Sequence, residues 1–208
     1  MRITKEHDTR RTEILDIADK LFHMKGYDKC TINDILKEVG IAKGTFYHYF
    51  KSKEEVLDAI VFRYKDIIIT RANEVANIAD ISLQEKLMNA FMSMRIIDQL
   101  DSDMVSEIHK TKNALLHQKI LNQIVIELAP VLVNIIEEGI EKKLWRCRFP
   151  LEYMQIFLAS SITLTDEGIF EFDGESQMKI MAALISLLEK ILEVSENSFM
   201  KLFMESNS

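Results

Sequence analysis

The chain has 208 residues, with 26 lysines and arginines against 33 acidic residues and a net charge of −7 at pH 7. Two prolines, six glycines and an excess of Leu, Ile, Met, Glu and Lys favour long helices over strands. The charged start (Arg2, Lys5, Glu6, His7, Asp8) excludes a secretory signal, no run is long and apolar enough to span a bilayer, and Cys30 and Cys147 form no spaced motif. A cytoplasmic protein with reduced thiols and no membrane partner is the expectation.

The first helix is predicted from about Thr9 to Lys25, where Ile14, Leu15, Ala18, Leu21 and Phe22 share one face and Gly26 is the stop. A short second helix follows, capped by Thr31 with Asp34 in its first turn, striped by Ile32, Ile35, Leu36 and Val39, and ended by Gly40. A third segment spans Lys43 to Phe50. Ser52-Lys53-Glu54-Glu55 reads as a capping box opening a fourth helix that extends to about Asn77. Ser82 and Glu85 form a second box, before a helix bearing Leu87, Met88, Phe91, Met92 and Met94. A long helix is expected over Thr111 to Lys142, bent or interrupted at Pro130. Pro150 suits the first turn of the next, Asp166 to Gly174 is a link, and a last helix runs from about Glu175 past Val194.

Charge is uneven along this helical chain. Residues 1–53 hold 11 basic residues against 8 acidic; the remainder holds 15 against 25. A small basic head on an acidic body suits a nucleic-acid partner for the head alone. The head has the parts of a tri-helical helix-turn-helix: one longer helix, then two short ones joined by a tight turn containing glycine. Phe46 and Phe50 lie one turn apart and anchor the third segment. Lys43, Thr45, Tyr47 and His48 are left to face outward, and Gly44 lets backbone approach DNA closely. Lys51 and Lys53 sit where a helix N-terminus favours a phosphate. Tyr49 admits two readings, a phosphate contact or core packing beside Phe46.

Gly26-Tyr27, Thr31-Ile32-Asn33-Asp34-Ile35 and the run from Val39 through Ala42-Lys43-Gly44-Thr45-Phe46-Tyr47-His48-Tyr49-Phe50 to Leu57 resemble the DNA-binding domain of the tetracycline-repressor (TetR) family. The first-helix residues Ile14-Leu15-Asp16-Ile17-Ala18 and Leu21-Phe22 fit as well, so the resemblance covers roughly residues 10–60. It implies a homodimer with one recognition helix per subunit in the major groove of a near-palindromic operator. By position it implies base or groove contacts from Lys43, Gly44, Thr45, Tyr47 and His48, and phosphate contacts from Thr31, Tyr49, Lys51 and Lys53. Ala42 departs from the pattern, because a serine often caps the recognition helix there.

The C-terminal part is less specific. Met88, Met92, Met94 and Met104, with Phe91 and Trp145, either line a pocket for a small apolar or amphipathic ligand or simply pack a core, and His109 and His117 lie at the edge of such a pocket or on the surface. His109 and His117 are eight residues apart, about 12 Å of helical rise, too far to share a metal. The series Gln123, Glu127, Asn134, Glu138 and Glu141 reads as a solvated face. No nucleophile–base pair and no phosphate-binding glycine loop is present, so neither catalysis nor a cofactor or metal is expected. The final helix carries a wide apolar face (Met178, Met181, Leu184, Ile185, Leu188, Ile191 and Leu192, widened by Ile180, Ala183, Leu187 and Val194) that calls for more than one neighbour. Lys179, Ser186, Glu189, Lys190 and Glu193 are its polar band. Ala159, Ser160 and Ser161 on the preceding helix permit close approach, so the last two helices are the expected dimer surface.

The expectation is an all-α protein, with a helix-turn-helix head over residues 1–53 and a helical ligand-binding and dimerisation domain over 54–208. Its expected function is ligand-responsive repression. An activator of the same fold, or a helical ligand or adaptor protein without DNA binding, are the alternatives.

Overall fold

The computed structural model describes residues 2–95, 114–165 and 169–206. Among these it contains nine α-helices and no strand: α1 (Arg2–Lys25), α2 (Ile32–Val39), α3 (Lys43–Tyr49), α4 (Lys53–Ala76), α5 (Leu83–Met92), α6 (Ala114–Glu141), α7 (Pro150–Thr165), α8 (Gly174–Ile191) and α9 (Ser198–Ser206). None of them is long and apolar enough to cross a membrane.

The boundaries follow local chemistry. Gly26 and Gly40 take positive φ (82° and 74°), a conformation that costs a Cβ-bearing residue steric strain. The Gly40 N–H then bonds the Leu36 carbonyl at 3.0 Å and closes α2. At the other end of α2, Thr31 Oγ1 accepts the Asp34 N–H at 3.2 Å while Asp34 Oδ2 accepts the Thr31 N–H at 2.8 Å. Ser82 and Glu85 form the same reciprocal pair on α5. The start of α4 differs from the expected box. Ser52 Oγ accepts the Glu55 N–H at 3.1 Å, but the Glu55 carboxylate reaches one residue further back, to the Lys51 N–H.

Two apolar clusters organise the chain. The first joins Ile14, Ala18 and Phe22 of α1, Ile35 of α2, Phe46 and Phe50 around α3, and Val56, Leu57, Ile60 and Val61 of α4. The second takes Ile68, Ala72 and Val75 from the same α4 and adds the apolar faces of α5 to α9. α4 is therefore shared between the two cores, and the division expected at residue 53 falls where this shared helix begins. α4 packs most extensively on α6, which in turn covers α7; α8 lies on α7, and α9 on α8 and α5.

Four sequence expectations are corrected. α1 begins at Arg2, not Thr9. Of the two outcomes expected at Pro130, a bend or an interruption, the interruption is excluded, since α6 runs through it; the proline is exposed, so its missing N–H costs one ladder bond without opening the helix. α8 stops at Ile191 rather than passing Val194, because Glu193 and Asn197 adopt left-handed φ (52° and 66°) and a ninth helix follows. No glycine announces that break. Finally, Glu189 leaves the polar band of α8: it is only 3% exposed and turns inward to the start of α9.

Candidate nucleic-acid interface

The head presents α3 outward from a packed floor. Phe46 and Phe50 are buried, with ring centroids 6.0 Å apart, and Arg11 of α1 lies 5.0 Å over the Phe50 ring. Held this way, α3 leaves Lys43, Gly44, Tyr47 and His48 exposed, with Thr45 half-buried. Tyr47 is 45% exposed, with its ring edge-on to Phe46, and Lys43 Nζ lies 5.8 Å from its ring centre. A Cβ added at Gly44 would meet nothing within 4 Å, so no neighbour in the chain requires a glycine there. The N-cap of α3 is Ala42, which makes no side-chain capping bond; its carbonyl accepts the Thr45 and Phe46 N–H groups at 3.0 and 3.2 Å.

The remaining predicted contacts divide. Lys51 is exposed beside this face. Tyr49 is half-buried, packed on the head core and edge-on to His48 at 5.1 Å, so the core reading accounts for its ring. Thr31 is exposed, but its hydroxyl is engaged with Asp34 as the cap of α2. Lys53 is turned inward: Nζ donates to the carbonyls of Tyr27 and Cys30 at 2.7 and 2.9 Å and sits 4.1 Å from the Tyr27 ring centre. Its charge staples the α1–α2 loop to α4.

Two further polar groupings stiffen the head. Lys25 pairs with Asp34 at 2.8 Å, and this bond, with those from Thr31, holds the Asp34 carboxyl well below the usual range. Between α1 and α4, Asp19 is buried and accepts from Tyr64 Oη and from Arg63, which also reaches Asp16. Burial and the adjacent Asp19 raise the Tyr64 phenol far above its ordinary value. These residues carried no sequence signal, since they lie more than 40 positions apart and meet only when α1 crosses α4.

Of the residues expected to line a ligand pocket, Met88, Phe91 and Trp145 are buried in the second core, and Met92 packs against it. The Phe91 ring lies 4.9 Å from Phe157; Trp145 lies 6.0 Å from Phe199. The structure thus puts these residues in or against one apolar core. Trp145 Nε1 is buried with no hydrogen-bond partner among the described residues. His109, Met104 and the side chain of His117 lie outside the described residues. An open cleft of about 940 Å³ lies between α1 and α4, bordered by Arg11, Leu15, Phe62, Ile67 and Arg71; none of these was read from sequence as lining a pocket, and Leu15 was read only as part of the apolar face of α1. Among the described residues no cluster of metal-ligating side chains is found.

The family model for bacterial regulatory proteins of the tetR family matches residues 14–60, and the tetracyclin repressor-like C-terminal domain matches residues 96–187. The HTH-type transcriptional repressor KstR2 of Mycobacterium tuberculosis is 32% identical over 100 residues, which is 44% of this chain and 46% of that protein. Its Rhodococcus jostii namesake is 28% identical over 153 residues, 72% of this chain and 74% of that one. The chain thus spans about half the length of the curated relatives it matches first. Among solved structures, Salmonella enterica GusR superposes with a TM-score of 0.64 at 20% identity, covering 89% of this chain and 96% of that one. Bacillus subtilis FadR, in complex with stearoyl-CoA, gives 0.63 at 24% identity, covering 87% and 97%. These structural likenesses concern the fold. The two family models match the helix-turn-helix head and the stretch holding α6, α7 and most of α8, in the expected order, and the chain belongs to the TetR family of bacterial regulatory proteins.

Proposed function

We propose that this protein is a sequence-specific DNA-binding repressor that acts as a homodimer and releases its operator when a small apolar or amphipathic molecule occupies the C-terminal domain. The observation that carries the reading is the outward face of α3. Lys43, Gly44, Tyr47 and His48 are presented to solvent over buried Phe46 and Phe50, beside an N-terminus with no internal side-chain cap. Lysine suits a guanine edge or a phosphate, and the bare backbone at Gly44 permits close approach to a groove wall. Lys51 supplies a phosphate contact; Lys53 holds the loop behind it.

The dimer surface proposed is α7 with α8. On α8, Met178, Ala183 and Leu187 remain exposed and Ile180 half-exposed; on α7, Ile156 is 59% exposed and Ala159 and Ser160 are partly open. An apolar row left uncovered by its own domain is the kind of surface a second copy buries. Two such subunits would set recognition helices about 34–36 Å apart, one turn of groove. For the ligand, the core around Met88, Phe91 and Phe157 supports only the class named, which the stearoyl-CoA of the FadR complex also fits.

The test is a salt titration of duplex binding by the full chain, wild type beside Lys51→Ala. Wild-type affinity falls linearly on a log–log plot, and the variant's slope is shallower by about one. Equal slopes would remove Lys51 from the interface, and absence of any binding at low salt would remove the DNA-binding reading.

A further inference from the structure

The two cores meet along α4, and one stripe of α4 carries charges that α6 answers. Glu54, Asp58, Val61 and Lys65 follow one another at helical spacing. Lys119 of α6 reaches both Glu54, at 3.3 Å, and Asp58. Eight residues on, Glu127 accepts from Lys65 at 3.1 Å, and Lys65 also pairs with Asp66 at 3.0 Å. The separation is about 12 Å along α6 and, between Asp58 and Lys65, about 10 Å along α4. The helices therefore run the same way here, and the two tethers are in step.

Their signs are crossed: a cation then an anion on α6, an anion then a cation on α4. A slide of α6 toward the C-terminus of α4 moves Lys119 off its carboxylates and toward Lys65. A slide the other way keeps Lys119 near Glu54 but takes Glu127 from Lys65, a lysine only 5% exposed. Both displacements are opposed, so the pattern locks one register. What it locks is the start of α4, where Glu55 holds the Lys51 N–H and where Val56 and Leu57 pack with Phe50 and Phe46.

We propose that Lys119 is a positioning residue for the head: through Asp58 and Glu54 it fixes the first turn of α4, and with it the attitude of α3, to the helix of the C-terminal domain that carries it. This rests on the DNA-binding reading for its consequence but not for its geometry. The pair is partly exposed, so each bond is weak and easily reversed, as a coupling between domains needs.

The test is amide hydrogen exchange on the free protein, comparing wild type, Lys119→Gln, and the conservative Lys119→Arg, which keeps the cation facing both Glu54 and Asp58. Loss of the tether speeds exchange of residues 43–57 by about threefold to fivefold, the scale of one exposed ion pair. Lys119→Arg keeps it within about twofold of wild type, and residues 198–206 stay unchanged as an internal control. Unchanged exchange at residues 43–57 overturns the proposal. So does uniform acceleration throughout the chain, which marks a merely structural role. The same three proteins are then titrated with a duplex captured by the wild type. A wild type that binds no duplex removes the DNA-binding reading, while the exchange result still decides the tether.

Discussion

The Glu189 carboxylate of α8 caps the helix that follows it: its Oε1 accepts the Phe199 N–H at 2.9 Å. The same carboxylate takes the Met200 N–H at 3.2 Å and the Asn197 N–H at 3.0 Å, so one buried side chain satisfies three orphan donors at the start of α9. Phe199 and Phe203 are thereby seated in the second core.

Glu189→Ala strands those three amides. The expected loss is about 1–3 kcal/mol of unfolding free energy, the cost of leaving buried donors unpaired. Urea denaturation measures it, and limited proteolysis locates it, with cleavage appearing first between residues 192 and 198. Wild-type stability and an unaltered cleavage pattern would show that α9 docks without this cap.

Trp145 gives a second reporter, because it is the only tryptophan in the chain. Its ring lies flat on Gly139, where an added Cβ would come within 2.2 Å of ring carbon Cε3. Gly139→Ala forces the indole off this seat at about 1–3 kcal/mol, the usual cost of overpacking. The emission maximum moves to the red as the indole meets water. Unshifted emission with full stability would mean that the ring has room to retreat.

Asp34 links pH to the stability of the head. Its bonds from Lys25 and Thr31 hold the folded carboxyl below its ordinary value. The stabilisation is therefore complete above the ordinary aspartate range, near pH 4, and is lost as pH falls through the lower folded value. Asp34→Asn lowers the melting temperature at pH 7, and the gap from wild type narrows below about pH 4. A gap that does not change with pH would assign the effect to shape, not charge.

Lys51 and Lys53 separate by role. Lys53→Ala removes the donor to Tyr27 and Cys30 and lowers the melting temperature, whereas Lys51→Ala, on an exposed side chain, leaves it within about 1–2 °C. Equal melting temperatures would mean that the inward bonds of Lys53 contribute nothing to the loop.

Much of the head was legible because its signals are local. Thr31 with Asp34, Gly40, and the aromatic pair Phe46 and Phe50 each define their element within a few residues. Lys53 was read from its position as a phosphate contact, but two carbonyls 23 and 26 residues away claim its ammonium. The same distance hid the Asp19–Arg63–Tyr64 cluster and the Lys119 tether. The end of α8 was missed for a different reason: Glu193 and Asn197 enter the left-handed region without glycine, and the strain is met by Glu189 binding the far side of the turn.

The central claim is tested most directly by incubating the purified full-length chain with sheared genomic DNA at near-physiological salt and sequencing what it retains, with Tyr47→Ala in parallel. The account predicts enrichment of one or a few inverted repeats by the wild type, their half-sites one helical turn apart, and loss of that selectivity in Tyr47→Ala with its melting temperature unchanged. Uniform retention of all fragments, or of none, by a folded wild-type protein would contradict it.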